Sequence, residues 1–178
     1  MSLFPALASL VTGYLLGSLP TGWLVGRWVA GVDLREEGSG SIGATNVMRV
    51  VGRGPALIVF VVDVLKGTVA VLLAGVLLQP VLGPGFALDV WVVSAGLAAL
   101  AGHIWPVWLG FRGGKAVATG FGMLLGLSWP VGLACLGVFL ATLTASRIVS
   151  LSSVVASLAL PLLMLGWFAG CLLYTSPS

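Results

Sequence analysis

Residues 36 to 49, EEGSGSIGATNVMR, gather small residues, hydroxyls, an amide and charge into one short run. Gly38, Gly40 and Gly43 permit positive φ and close backbone approach, so consecutive N–H groups can turn toward one anion as a nest. Ser39, Ser41, Thr45 and Asn46 add hydroxyl and amide donors, and Arg49 adds a planar fork suited to phosphate oxygens. A second run, GHIWPVWLGFRGGKA at 102–116, contains His103, Arg112, Gly113, Gly114 and Lys115, with its glycines just before an expected helix start. Free N–H groups, the positive end of a helix dipole and a lysine attract anions there. Two such runs could hold two phosphorylated molecules, one each.

Other chemistries fit less well. GSGSIG matches G-x-G-x-x-G and Asp63 follows at a suitable distance, but VDLREE before it is no buried strand and Asp63 falls in an apolar run, so a dinucleotide site is excluded. LGFRGGKAV lacks the earlier glycine and the following Ser or Thr of a P-loop. His103 is the only histidine and neither Cys135 nor Cys171 is near it in sequence, so a zinc site lacks ligands; no carboxylate cluster suits magnesium. The reading requires no metal and no cofactor. His103 is a candidate general base, but spacing pairs no carboxylate with it and no nucleophile elbow is present. A site rich in phosphate donors and poor in nucleophiles suits direct transfer between two bound substrates rather than a covalent enzyme intermediate.

The surroundings of these runs are hydrocarbon-like. Of 178 residues 59% are hydrophobic and 7% charged, with mean hydropathy +1.17, against about 25% charged in soluble domains. This composition predicts an all-α, polytopic integral membrane bundle, one membrane-embedded domain over 1–178, because spanning helices satisfy their backbone internally. Apolar runs at 3–30, 56–79, 87–102, 116–128, 129–146 and 151–173 give about six spans, of which 116–128 is short enough to be tilted or re-entrant. The N-terminal run lacks a basic n-region and reads as an uncleaved first span. Cys135 and Cys171 lie in apolar runs and read as buried, inert thiols.

Charge placement orients the bundle. Arg27, Arg35, Arg49 and Arg53 flank or occupy the first connection, Arg112 and Lys115 the third and Arg147 the fifth, whereas the second carries only Asp89 and the fourth no charge. The positive-inside rule then places odd-numbered connections in the cytoplasm and the N-terminus outside, so both glycine-rich basic runs share one face. Trp28, Trp105, Trp108, Trp91, Trp129 and Trp167 fall near expected span ends, as interfacial residues do. The net charge of +3 thus marks topology, not nucleic-acid binding. Asp63 and Lys66, at i and i+3 within the second apolar run, share a helix face and are expected to turn inward and neutralise each other. In SRIVSLSSVVAS the serines read as bonding back to helix carbonyls, except Ser150, which is expected to reach the site.

In order and spacing, GSLPTGWLVGR, GSGSIGATNVMRVVGRGPA, DVLKGTVAV, AGHIWPVWLGFRGGKAVAT and SRIVSLSSVVAS resemble the bacterial membrane glycerol-3-phosphate acyltransferases that use acyl phosphate, the PlsY family. The resemblance implies transfer of a fatty acyl chain from acyl phosphate to the 1-hydroxyl of glycerol 3-phosphate, giving 1-acyl-glycerol 3-phosphate and phosphate. It places this step of phospholipid synthesis at the cytoplasmic face of the inner membrane. It also implies contact with membrane lipid and a functional link to a soluble enzyme that forms acyl phosphate. By position, Ser39, Thr45 and Arg49 look like phosphate ligands, with Gly40, Ser41, Gly43 and Asn46 in the same motif. Gly113 and Gly114 resemble acyl-phosphate-binding glycines, Lys115 a phosphate ligand, and Ser150 a further site serine, with Arg112 beside them. Ser41 stands where the family usually has asparagine. The resemblance further implies a seventh span and a third motif of His, Asn, Arg and Glu beyond Ser178, so the chain is expected to be C-terminally incomplete. A transporter of a small phosphorylated metabolite is the alternative, with Asp63 and Lys66 lining its path. The lack of repeat symmetry and the shared face of the two basic runs weigh against it.

Overall fold

The computed structural model describes the backbone of residues 4–175 and the side chains of 4–169; the side chain of Cys171 and those of the C-terminal CLLYTSPS lie outside the described residues. Among the described residues every regular element is helical. Helix α1 covers Phe4–Ser18 and ends at Leu19–Pro20; α2, Thr21–Val25, then runs into a π-helical turn at Gly26–Ala30. The single span expected over 3–30 is therefore broken, because Pro20 has no N–H to continue the ladder and disfavours helical φ/ψ in the residue before it. After an irregular stretch come α3 at Ala44–Val50, α4 at Arg53–Leu82 and α5 at Phe86–Ile104. A 3-10 turn at Val107–Leu109 precedes α6 at Val117–Leu127, and α7 at Trp129–Ser146 and α8 at Val149–Thr175 follow.

Each of the six expected apolar runs is mainly helical, the first in separate pieces. Among the described residues, four helices are long and apolar enough to cross a membrane: Arg53–Leu82, Phe86–Leu109, Trp129–Ser146 and Val149–Ala169. Helices α1 and α6 have 15 and 11 residues, and at 1.5 Å per residue α6 extends only about 17 Å. The chain divides into two compact units, Met1–Leu127 and Ser128–Ser178.

In the first unit, small residues let helix backbones approach, as is usual where lipid supplies no hydrophobic drive between helices. A side chain at Gly13 or Gly17 of α1 would overlap the carbonyls of Ala95 or Ala99 in α5, and one at Gly102 of α5 would overlap that of Tyr14. Numbers rise together on both helices, so α1 and α5 run in the same direction. The same holds for α4 and α6, where Gly122 abuts Val64, Gly126 abuts Thr68 and Val71, and Thr68 Oγ1 donates to the Gly122 carbonyl at 2.8 Å. The two pairs are mutually antiparallel: Ala6 of α1 clusters with Ala74 and Leu78 of α4 and Ala95 of α5 at one end, while Leu19 meets Lys66 of α4 toward the other. The first and third connections consequently leave the bundle at the same end. Beneath the first lies a second apolar cluster, Leu34, Val47, Ala56 and Val59.

In the second unit α7 and α8 pack on each other, joined through Arg147 in a left-handed conformation (φ +59°). Ser152 Oγ and Ser153 Oγ donate to the carbonyls of Ile148 and Val149, as expected for back-bonding serines. Exposed leucines and valines cover the flanks of both units, and Trp28, Trp105, Trp108, Trp129 and Trp167 are exposed near element ends, as lipid-facing and interfacial positions require.

Candidate active site

The first connection is a folded structure organised around two buried polar residues. Asp33 receives Arg35 Nε and Nη2 at 3.0 and 2.7 Å, the Arg35 N–H at 3.0 Å and Trp23 Nε1 at 3.2 Å, with Arg27 farther off at 3.5 Å. The Arg35 hydrogen bond holds the Asp33 carboxyl well below the usual carboxylate range despite its burial, and Asp33 in turn raises the Arg35 guanidinium above its ordinary value. Arg35 Nη1 also donates to the Leu109 carbonyl at 3.4 Å, which ties the first connection to the third.

Asn46 is the second organiser. It is 1% exposed; its Nδ2 donates to the carbonyls of Leu34, Glu37 and Ser41 at 2.9–3.2 Å, and its Oδ1 accepts the Ser39 N–H at 2.9 Å. The expected donor to substrate is therefore occupied in closing the loop from within. The glycine nest needs the same correction. Gly38 and Gly40 do adopt positive φ, +58° and +68°, but the Gly40 N–H bonds to the Glu37 carbonyl and the Gly43 N–H to Ser41 Oγ. Their conformational freedom shapes the turn, and the Gly40 and Gly43 donors are spent inside the loop. What the first connection presents outward is the exposed Ser39 and Arg49 and the half-buried Thr45.

The third connection departs from expectation in the same way. The Gly113 and Gly114 N–H groups donate to the carbonyls of Ile104 and His103 at 3.1 and 3.0 Å, folding the chain back on the end of α5. Glycine is required by contact: a side chain at Gly113 would overlap the His103 carbonyl, and one at Gly114 would overlap His103 Nε2. Gly110, Phe111 and Ala116 all have positive φ (+61°, +63° and +54°), two of them without the excuse of a missing Cβ, so the loop is held in a strained shape by its surroundings. Arg112 and Lys115 project from it, exposed, just ahead of the unpaired N–H groups that open α6. Among the described residues, Arg49, Arg112 and Lys115 have no carboxylate within ion-pair distance.

His103 does not face outward as a candidate base would. It is 4% exposed, its Nε2 against Gly114 and its Nδ1 at 3.3 Å from Thr119 Oγ1 and 3.8 Å from Asp63 Oδ1. The carboxylate that sequence spacing fails to pair with His103 is thus Asp63, brought across from α4 by the antiparallel packing of α4 and α5. Asp63 and Lys66 do turn inward, at 2% and 4% exposure, and pair at 2.7 Å. Lys66 Nζ also donates to the Leu19 carbonyl, which the Pro20 break leaves without a helical partner. Thr119, which the chain's residue types did not single out, closes this buried cluster from the first turn of α6; its only sequence signal is its place three residues after Ala116 in GKAVAT. Ser150 opens α8 in the second unit and is exposed.

With this geometry in hand, similarity to known proteins is informative. Residues 7–176 match the family model for glycerol-3-phosphate acyltransferase. The glycerol-3-phosphate acyltransferase of Synechococcus sp. (strain CC9902) is 65% identical over 92% of this chain and 78% of its own. Two crystal structures of PlsY, an integral membrane glycerol 3-phosphate acyltransferase, superpose well. Its glycerol 3-phosphate form has TM-score 0.80 and 37% identity, and its lysophosphatidic acid form has TM-score 0.77 and 36% identity; each covers 90% of this chain and 76% of that one. A helical bundle whose two basic, glycine-bearing connections meet at one end, and whose sequence matches over nearly its whole length, places the chain in the PlsY-type glycerol-3-phosphate acyltransferase family of integral membrane proteins.

Proposed function

We propose that the chain transfers a fatty acyl group from acyl phosphate to the 1-hydroxyl of glycerol 3-phosphate, releasing 1-acyl-glycerol 3-phosphate and inorganic phosphate, at the cytoplasmic face of a bacterial inner membrane. The observation that carries this reading is the placement of Arg49 and Lys115, exposed and without acidic partners, on two connections that Arg35 ties together at one end of the first unit. Each connection offers a cation and hydroxyl or backbone donors to one phosphate: Arg49, Ser39 and Thr45 in the first, Arg112, Lys115 and the start of α6 in the second.

The reaction needs little chemistry from side chains. The glycerol 3-phosphate hydroxyl oxygen attacks the acyl carbonyl carbon, the bond from that carbon to the phosphate oxygen breaks, and the electron pair leaves with phosphate. Holding two anions so that hydroxyl and carbonyl are aligned is worth up to about 7–11 kcal/mol of the barrier. Cationic groups and helix-end dipoles stabilise the charge that develops on the departing phosphate. The hydroxyl proton goes to a substrate phosphate. His103 is not its acceptor here, since the ring is buried beneath Gly114 and turned toward Thr119 and Asp63. Positive-side topology of the first and third connections supports the cytoplasmic face, where a soluble enzyme supplying acyl phosphate would deliver it.

The test is product formation by the purified protein, reconstituted in liposomes. Acyl-phosphate-dependent formation of lysophosphatidic acid is expected, with Arg49→Ala and Lys115→Ala each lowering turnover by roughly a hundredfold or more while leaving the protein folded. Near-normal rates in either variant remove the two-cation clamp, and glycerol 3-phosphate uptake without acylation makes the protein a transporter.

A further inference from the structure

The first unit contains a buried polar chain that the acyl-transfer reading does not use. It runs from the Leu19 carbonyl at the end of α1 to Lys66 Nζ, to Asp63 on α4, to His103 Nδ1 on α5, with Thr119 Oγ1 of α6 on the same nitrogen. Three helices contribute its side chains, Asp63, Lys66, His103 and Thr119 are nearly inaccessible, and the chain lies under the third connection, because Gly114 sits on the far nitrogen of the same imidazole. Charge at membrane depth is costly on insertion scales, roughly 2.5–3.5 kcal/mol per residue, and a pair serving only to hold helices together is often replaceable by apolar side chains without loss. The contact with the only histidine of the chain gives this pair a specific task.

We infer that Asp63, neutralised by Lys66, is a positioning residue: it fixes His103 as the tautomer with its proton on Nδ1 and so sets the ring against which Gly114 and Lys115 are placed. The tautomer of an imidazole follows from what its other nitrogen meets. Nδ1 faces a carboxylate at 3.8 Å and a hydroxyl at 3.3 Å, both able to face an N–H, while Nε2 faces Gly114 across a gap with no room for a side chain. A proton on Nδ1 points its dipole at the negative Asp63; a proton on Nε2 would leave a lone pair facing that charge. The Thr119 hydroxyl, adaptable in direction, accepts from Nδ1. The ring is then held in one orientation, and its Nε2 edge, packed against Gly114 with no room for a Cβ, passes that orientation to the loop that bears Lys115.

A single histidine makes this directly observable. In protein labelled with ¹⁵N-histidine and purified on a histidine-free tag, the ring nitrogens at neutral pH should show Nδ1 protonated and Nε2 bare. The double variant D63N/K66M, which removes both buried charges at once, should mix or invert the tautomers, whereas T119V should retain the wild-type tautomer. A wild-type spectrum with the proton on Nε2, a D63N/K66M spectrum identical to wild type, or inversion in T119V overturns the assignment. Should D63N/K66M fail to fold, the wild-type and T119V spectra decide. The kinetic arm rests on the acyl-transfer reading: D63N/K66M should raise KM for acyl phosphate by about tenfold with KM for glycerol 3-phosphate within about twofold, and equal changes in both overturn the positioning role. Inactive wild-type protein with the expected spectrum would instead count against the acyl-transfer reading and leave the tautomer assignment standing.

Discussion

Ser18 and Asn46 show how little a residue's type says about its weight. Both are buried and polar, at 0% and 1% exposure. Asn46 shares its two amide hydrogens among three carbonyls and accepts one N–H, whereas Ser18 Oγ has no hydrogen-bond partner among the described residues. Removing one partner of a buried bond strands the other at a cost of about 1–3 kcal/mol. Asn46→Ala should therefore destabilise by at least that much, and more if several carbonyls stay dry; Ser18→Ala should leave stability within about 0.5 kcal/mol or raise it. Thermal unfolding of the two variants in one detergent checks the contrast, and equal losses would contradict it. The donor inventory around the first motif was legible from composition, since Ser39, Thr45 and Arg49 do stand outward. The division between donors that face outward and donors that bind the loop was not, because it depends on φ and ψ at Gly38 and Gly40, which residue identity permits but does not specify.

Among the elements, the first connection carries the one clear link to pH. Asp33 is ionised in the folded protein with its pKa lowered by Arg35, so folding is favoured by the ionised form. That contribution is complete above the unfolded carboxylate value of about 3.9 and is lost as pH falls toward the lower folded value. Stability should thus be flat in this respect from neutral pH to about pH 4 and decline on further acidification, and Asp33→Asn should flatten the acid limb. Melting temperature against pH for the two proteins tests the sign; a wild-type loss centred near neutrality would refute it. At this scale the apolar runs foretold an all-helical chain, and Ser128 does separate α6 from α7. The break after α1 was not foreseen, although Pro20 was visible, because the apolar run continues through it and hydropathy does not register a missing N–H.

At the scale of the molecule, the shared end of the two basic connections follows from alternating positive charge, which is why it was legible. The meeting of Asp63 with His103 was not, since 40 residues of sequence separate them and only helix packing brings them together. That packing depends on missing side chains. Gly17→Leu in the α1–α5 contact and Gly122→Leu in the α4–α6 contact should each force the backbones apart and cost about 2 kcal/mol or more, whereas Gly75→Leu, with open space around it, should be tolerated. Equal stability of all three variants in a detergent-unfolding series would refute the glycine contacts. The same contacts bear on biogenesis. They join α1 to α5 and α4 to α6, so neither helix of the first hairpin to leave the ribosome finds its glycine-matched partner in the other. Nascent α1 must wait at the insertion machinery through some eighty further residues before Ala95 and Ala99 arrive. Chains cut anywhere before α6 would be left with an unmated helix surface in the lipid, a ready substrate for membrane quality-control proteases.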